Sequence, residues 1–316
     1  MKKGSLFHGG IILILLCAAG SPRLQMLQMT LPEGGAGHIA VDKSGTPVDL
    51  GMTLTLHRFT ADFYPDGSPA RFASELSVGA LSHASVEVNH PLHTNGWDIY
   101  QYGYDLGNHT STFLLVRDPW LPCVYAGLFL LLAGALCLLF RIRPQPAGIV
   151  IPCLLLALML AGTLAFRNGL QSRQLMPALQ SHWFAPHVVA YMLSFALLVS
   201  ASLLGVYLLV KENRKAWLLA DSLVGYGICF FTVGMILGAW WAKEAWGHYW
   251  TWDPKETWAA ITWLAYLGYL HARRWLPEKR RWACLILLAA FLCLLMCWWG
   301  VPLLPSARSI SLHIYS

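Results

Sequence analysis

Residues 240–271 read WWAKEAWGHYWTWDPKETWAAITWLAYLGYLH and carry seven of the chain's fifteen tryptophans. The rings are interleaved with Lys243, Glu244, His248, Asp253, Lys255 and Glu256, and the stretch lies between two strongly apolar runs. Indole has apolar faces and a single N–H donor at its edge, which suits the boundary between membrane and water. Seven rings around a Trp-Asp-Pro-Lys-Glu core exceed an ordinary helix-end belt and suit a platform for a large flat ligand. The same residues also have a plain structural reading: Asp253 caps a helix, Pro254 takes its first position and Glu256 completes a capping box. Capping leaves the aromatic excess unexplained.

Working outward, hydrophobic residues make up 56% of the chain and charged residues 12%, the balance of an integral membrane protein. Strong apolar spans fall at 121–140, 148–166, 187–210, 218–239, 257–272 and 283–304. Each is close to the roughly 20 residues a helix needs to cross hydrocarbon. A shorter run at 6–20 follows Lys2 and Lys3 and ends in Ala18-Ala19-Gly20. It reads either as a cleaved signal peptide or as an uncleaved anchor, and the anchor is the expectation. The resulting fold class is mainly α, a polytopic membrane helix bundle of about seven transmembrane helices, with a small β-rich extracytoplasmic domain inserted after the first helix.

With the amino terminus in the cytoplasm, Lys2 and Lys3, Arg141 and Arg143, Lys211, Arg214 and Lys215, and Arg273, Arg274, Lys279, Arg280 and Arg281 all face inward. That asymmetry satisfies the positive-inside rule and puts the tryptophan stretch and the carboxyl tail outside. These charges flank apolar spans, so no nucleic-acid surface is expected. None of the eight cysteines forms a Cys-x-x-Cys. No zinc site, disulfide framework or thioredoxin-like redox pair follows from their spacing, and buried packing is their default reading.

Residues 21–120 differ in kind, being polar and richer in Gly and Pro. Thr53–His57, Ser85–Val88 and Trp97–Gln101 alternate with the period of half-buried strands. Pro65-Asp66-Gly67 and Asn95-Gly96 are turn signals, and Gly34–Gly37 reads as a loop. The expected organisation is an anchor or signal peptide at 1–20, a β-rich domain at 21–120, a transmembrane helix at 121–143 and a tryptophan-rich transmembrane domain at 144–316.

Four of the twelve histidines occupy positions where a ligand reading bears weighing. His187 follows Pro186 in the first turn of an outward helix start, where the helix dipole favours neutral imidazole. His313 lies in the outward tail. The plain alternative for both is an ordinary interfacial residue. His271 lies seventeen residues after Pro254, about 26 Å along a helix, and so near the cytoplasmic side. His8 has the same depth on the first span. Haem iron is commonly held by axial histidines, and two close both faces of the ring. An outward pair and an inward pair suit haem being moved outward.

Trp246-Gly-His-Tyr-Trp250-Thr-Trp252-Asp253-Pro-Lys-Glu256-Thr-Trp258, followed by Ile261-Thr-Trp263 and Tyr269-Leu-His271, resembles the tryptophan-rich signature of the CcsA cytochrome c biogenesis family. Leu179-Gln-Ser-His182-Trp183 through His187, and Gly300 through Leu312-His313-Ile-Tyr315, are similar to that family's flanking histidine regions. Val86-Glu-Val-Asn89-His90-Pro-Leu92, Tyr100-Gln-Tyr-Gly-Tyr104-Asp105 and Val116-Arg-Asp-Pro119 resemble the end of the ResB (CcsB) extracytoplasmic domain. The chain as a whole therefore looks like a fusion of a shortened CcsB part with a CcsA part.

The resemblance implies a multi-pass protein of the bacterial cytoplasmic membrane, amino terminus inside and carboxyl terminus outside, acting as a cytochrome c synthase of lyase type within a complex. Its cofactor and substrate would be haem b, joined by thioethers to Cys-x-x-Cys-His of apocytochrome c. His187 and His313 would be outer axial ligands, and His271, with His8 as its candidate partner, would ligate an inner haem. Trp240, Trp246, Gly247, Trp250, Trp252, Asp253 and Trp258 would hold the haem edge. A separate CcsB/ResB chain and a thioredoxin-like thiol reductant are the implied protein partners. The competing reading is a haem exporter or chaperone that passes haem to a separate ligase.

Overall fold

The computed structural model describes residues 5–19, 24–142, 147–171 and 173–304. His313 lies outside the described residues, as do Lys2, Lys3 and Arg143.

After helix α1 (Ser5–Ala19) the chain enters an eight-stranded antiparallel sheet of β1 (Gln25–Pro32), β2 (Ala36–Val41), β3 (Pro47–Phe63), β4 (Pro69–Val78), β5 (Leu81–Glu87), β6 (Leu92–Thr94), β7 (Trp97–Asp105) and β8 (Thr110–Arg117). The spatial order is β5-β4-β3-β2-β1-β8-β7-β6. Alternation drives the burial: along β1, Leu27, Met29 and Leu31 point inward and meet Leu54, Leu56, Leu76, Ile99, Phe113 and Leu115. The three stretches with the expected period lie in β3, β5 and β7. Asn95 and Gly96, at φ 51° and 76°, make the tight turn between β6 and β7. The expected glycine loop is shorter than the sequence suggested, because Ala36 and Gly37 already belong to β2. The sheet curls until β4 meets β7 and β8. There Ser74 donates to Gln101 Oε1 at 2.7 Å and Gln101 donates to Ser111 Oγ at 2.8 Å, closing a buried polar knot.

The rest is helical: α2 (Leu121–Leu139), α3 (Ala147–Gln171), α4 (Phe184–Val210), α5 (Arg214–Trp246), α6 (Pro254–Trp275) and α7 (Arg280–Leu295). Among the described residues, five helices are long and apolar enough to cross a membrane, compared with the seven expected. The α1 helix falls short with 15 residues. The α6 helix, which opens on Lys255 and Glu256 and closes on Arg273 and Arg274, is too polar to qualify. In α5, 67% of the apolar window is buried, against 6% in α3, so α5 is the central helix and α3 lies at the edge. Polar groups within the bundle pair across helices, as they must without water. Ser194 donates to the Gly227 carbonyl at 2.8 Å, and Trp263 Nε1 donates to Thr232 Oγ1 at 2.9 Å. Asp221 accepts from Tyr269 and from both Nε and Nη2 of Arg273.

The sheet domain is tied to the end of the bundle where α5 stops and α6 starts. Lys243, in the last turn of α5, reaches Asp98 on β7 at 2.9 Å and lies over the rings of Tyr100 and Tyr249. His93 holds the same carboxylate at 2.6 Å. Asn89 donates to the Pro177 carbonyl at 2.6 Å, and Gln180 donates to the Ala70 carbonyl at 2.9 Å. Burial pushes the Asp98 carboxyl up, but the His93 hydrogen bond and the Lys243 charge together hold it below the usual carboxylate range.

Lys243→Ala, which leaves the partly buried Asp98 with the exposed His93 as its remaining partner, is expected to cost about 3 kcal/mol in a denaturant titration of the detergent-solubilised protein. Because the folded-state carboxyl is depressed, the contribution of Asp98 should be complete above the ordinary carboxylate pKa of about 4 and fade as the pH falls below it. A wild-type minus Asp98→Asn difference that is already gone at neutral pH would contradict this account.

Candidate functional site

The tryptophan stretch folds as a helix end, a loop and a helix start. Gly247, at φ 81°, stops α5 in the left-handed conformation, and its N–H caps the Lys243 carbonyl at 3.0 Å. A Cβ there would press on Leu114 and Tyr100 of the sheet domain at 3.1 Å, so glycine is required by conformation and by close approach alike. Asp253 then accepts from the backbone N–H groups of Lys255 and Glu256 at 2.7 and 3.2 Å, while Glu256 Oε2 accepts from Asp253 N at 3.3 Å. This is the capping box expected from the sequence. Glu256 also accepts from Thr251 N at 2.7 Å, which pins the loop. Trp252 is held at φ 59° beside it and is 71% exposed, a non-glycine residue in the left-handed region and hence a strained position.

Behind this loop a cavity of about 380 Å³ opens between the start of α4, the end of α5, the start of α6 and a π-helical turn at Met296–Gly300. Its wall is mainly apolar and aromatic, and the groups that matter chemically are His187, Tyr191, Trp241, Trp250, Lys255 and Trp298. His187, in the first turn of α4, bonds through Nδ1 to the Gly234 carbonyl at 2.9 Å. A carbonyl only accepts, so Nδ1 carries the proton and the lone pair lies on Nε2, the tautomer that ligates a metal. Gly238 makes room for the ring, since a Cβ there would come within 2.6 Å of His187 Cε1. Trp241 and Tyr191 flank it at 5.6 and 4.9 Å.

Trp250 Nε1 is buried without an acceptor among the described residues. Among the described residues Lys255 is in no ion pair. The cavity thus offers one imidazole with its lone pair on Nε2, one buried indole donor, and the Lys255 ammonium beside the Glu256 carboxylate. Its volume lies within the range usual for ligand sites, about 300–1,000 Å³.

The seven tryptophans do not form one shelf. Trp250 lines the cavity with Trp241, whereas Trp240, Trp246, Gly247, Trp252, Asp253 and Trp258 do not. Trp240 packs at a tilt on Trp183 at 5.0 Å and Trp246 likewise on Trp241 at 5.1 Å. Trp252 meets Trp250 edge-on at 5.9 Å, and Trp263 stacks on Phe7 of α1 at 5.8 Å. Sequence reasoning passed over Trp241, Tyr191, Lys255 and Trp298. Trp298 had a signal in Met-Cys-Trp-Trp-Gly just before the tail, and its π turn is a distortion common at functional sites.

At the other end of the bundle, the structure brings His8 and His271 together. Their ring centroids are 6.0 Å apart and the rings nearly perpendicular, at 86°. His271 Nδ1 bonds to the Leu267 carbonyl at 2.8 Å, which again places the lone pair on Nε2. Trp275 packs against it at 4.9 Å. The partner expected for His187 lies outside the described residues, so the described half of that site is His187 and the cavity around it.

Residues 120–307 match the family described as cytochrome C assembly protein, and residues 4–116 match the ResB-like family. Among similar proteins, a cytochrome c biogenesis protein CcsA from Chlamydomonas reinhardtii is 36% identical over 184 residues, 53% of this chain and 50% of that protein. One of the same name from Atropa belladonna is 36% identical over 186 residues, 46% of this chain and 58% of the relative. A third, from Guillardia theta, is 33% identical over 221 residues, 58% of this chain and 71% of the relative. The chain thus spans about half the length of the first two. With more than half of its own residues inside the assembly-protein match, the chain belongs to the cytochrome C assembly protein family, with a ResB-like segment joined ahead of it.

Proposed function

We propose that this protein acts in cytochrome c biogenesis, taking haem b as substrate at the outward end of its bundle and presenting it to a Cys-x-x-Cys-His segment of apocytochrome c. The observation that carries this reading is His187: a tautomer-fixed imidazole inside an aromatic cavity that also offers an orphaned indole N–H and a lysine. His187 would bind the iron, Trp241 and Trp250 would pack the ring, and Lys255 with Trp250 Nε1 would take the propionate carboxylates. His313 would supply the second axial ligand from the carboxyl tail. Attachment adds each substrate S–H across a haem vinyl group, sulfur to one carbon and hydrogen to the other, so the protein's share is placement and exclusion of water. A thioredoxin-like reductant would keep the substrate thiols reduced, and a separate CcsB/ResB chain would complete the assembly.

His8 and His271 would hold haem nearer the inner side before it reaches the cavity. In this reading the membrane is the bacterial cytoplasmic membrane, with the amino terminus inside and the carboxyl terminus outside. The charge asymmetry of the loops supports that orientation.

His187→Ala is expected to lower covalent cytochrome c formation about tenfold or more in cells, with partial rescue by added imidazole. Normal maturation in that variant would sink the proposal. Reconstitution with haem and a Cys-x-x-Cys-His peptide should yield thioethers. Haem binding without attachment there would assign the chain to haem delivery for a separate ligase. For the inner pair, His8→Ala and His271→Ala should lose equal amounts of bound haem, read by the pyridine hemochrome absorbance of the purified protein. Unchanged haem in His8→Ala alone would separate the two residues.

A further inference from the structure

The α1–α2 hairpin holds a pair of thiols that the proposed haem chemistry does not use. Cys17 lies near the end of α1 and Cys123 near the start of α2, and both are free. Spacing alone hides the pair, because 105 residues and a whole domain separate them. The two helices run antiparallel with their backbones touching. A Cβ added at Gly10 would lie 2.7 Å from the Leu131 nitrogen, one at Gly134 would lie 2.7 Å from the Phe7 nitrogen, and one at Gly127 would lie 2.7 Å from Ile14 Cγ1. That register runs Phe7 beside Gly134, Gly10 beside Leu131 and Ile14 beside Gly127, and one more turn sets Cys17 beside Cys123. The two thiols lie within electrostatic range of each other. Disulfide-bonded residues have Cα atoms about 4.4–6.8 Å apart, a separation that the close approach along the glycine seam allows.

We propose that Cys17 and Cys123 form a disulfide that fixes α1 in register on α2 at the extracytoplasmic edge of the bundle. The outward placement of that edge is the one part that rests on the functional reading above. The half-buried Cys123 is reachable while Cys17 is buried, so Cys123 is attacked first. Its thiolate displaces one sulfur of a disulfide-bearing oxidant protein, forming a mixed disulfide, and Cys17 then displaces the oxidant. One S–S bond forms and one breaks. The two protons and two electrons of the cysteine pair leave on the oxidant, which departs as a dithiol.

The tie has a structural consequence. The α1 helix carries Phe7 against Trp263 and His8 against His271, while Ile12, Leu15 and Leu16 are exposed. A slide of one residue would shift His8 by about 1.5 Å and turn it off His271, which a covalent bond at Cys17 prevents.

The test counts alkylatable thiols on the full chain in native membranes, acid-quenched and labelled with a maleimide polymer before and after reduction. Wild type should take up two more labels after reduction, and peptide mass spectrometry should return a Cys17–Cys123 cross-link. Cys17→Ser and Cys123→Ser should each abolish the increment. The inference is overturned if wild type shows no increment even after treatment with a thiol oxidant, or if the increment persists in either variant. A missing increment with cytochrome c maturation intact would remove the disulfide and leave the functional reading standing.

Discussion

The buried Lys243–Asp98 pair is the interaction on which the junction of sheet domain and helix bundle depends. Lys243 sits in the last turn of α5, four residues before the glycine that ends the helix. An ammonium taken out of water needs a carboxylate and further partners, and Asp98, Tyr100 and Tyr249 supply them. Two of those groups come from β7 and the third from the tryptophan loop. The sheet domain, the end of α5 and the loop are thereby fixed to one another around a single charge. Burial also keeps the Tyr100 and Tyr249 phenols neutral by driving them far above their ordinary range, so Asp98 stays the only anion facing the ammonium among these partners.

That anchoring explains why so few of the tryptophans reach the cavity. With α5 ended at Gly247 and α6 started at Asp253, only a short loop remains to span the mouth. Alternate side chains must then point into the cavity, back against the wall or out to water. Trp250 goes in and Trp252 goes out, the latter by adopting a backbone conformation unusual for a tryptophan. Indole N–H groups also fasten the frame of the cavity. Trp241 donates to the Ala178 carbonyl at 2.8 Å, and Trp183 donates to Glu244 at 2.7 Å. These bonds fasten the segment before α4, and with it the turn that carries His187. The aromatic excess thus divides between lining the cavity and bracing its frame.

The legible parts of the sequence were those fixed by local chemistry. The capping box at Asp253, the turn at Asn95-Gly96, the apolar spans and the first-turn position of His187 all depend on neighbours within a few residues. What was hidden depends on helix-to-helix registry. Nothing in the sequence around Trp241 distinguishes it from Trp240, yet one faces the cavity and the other Trp183, a difference of about 100° around α5. Trp298 and Lys255 meet across the cavity only because α7 returns beside α6. Of the seven expected spans, five meet both length and composition among the described residues, because α1 is short and α6 has the length of a membrane helix but carries charge at both ends.

The same registry decides whether His8 belongs to any site at all. A histidine on a short apolar run has no motif to recommend it, and α1 alone buries little. Its position comes from Gly10, Gly127 and Gly134, three residues without side chains that let α1 and α2 approach until only one register fits. Each glycine on one helix meets a backbone or a branched side chain on the other, so a shift in either direction would create overlaps rather than gaps. Phe7 then reaches Trp263 and His8 reaches His271 as consequences of that seam. The approach of His8 to His271 is therefore set by backbone contacts away from both imidazoles.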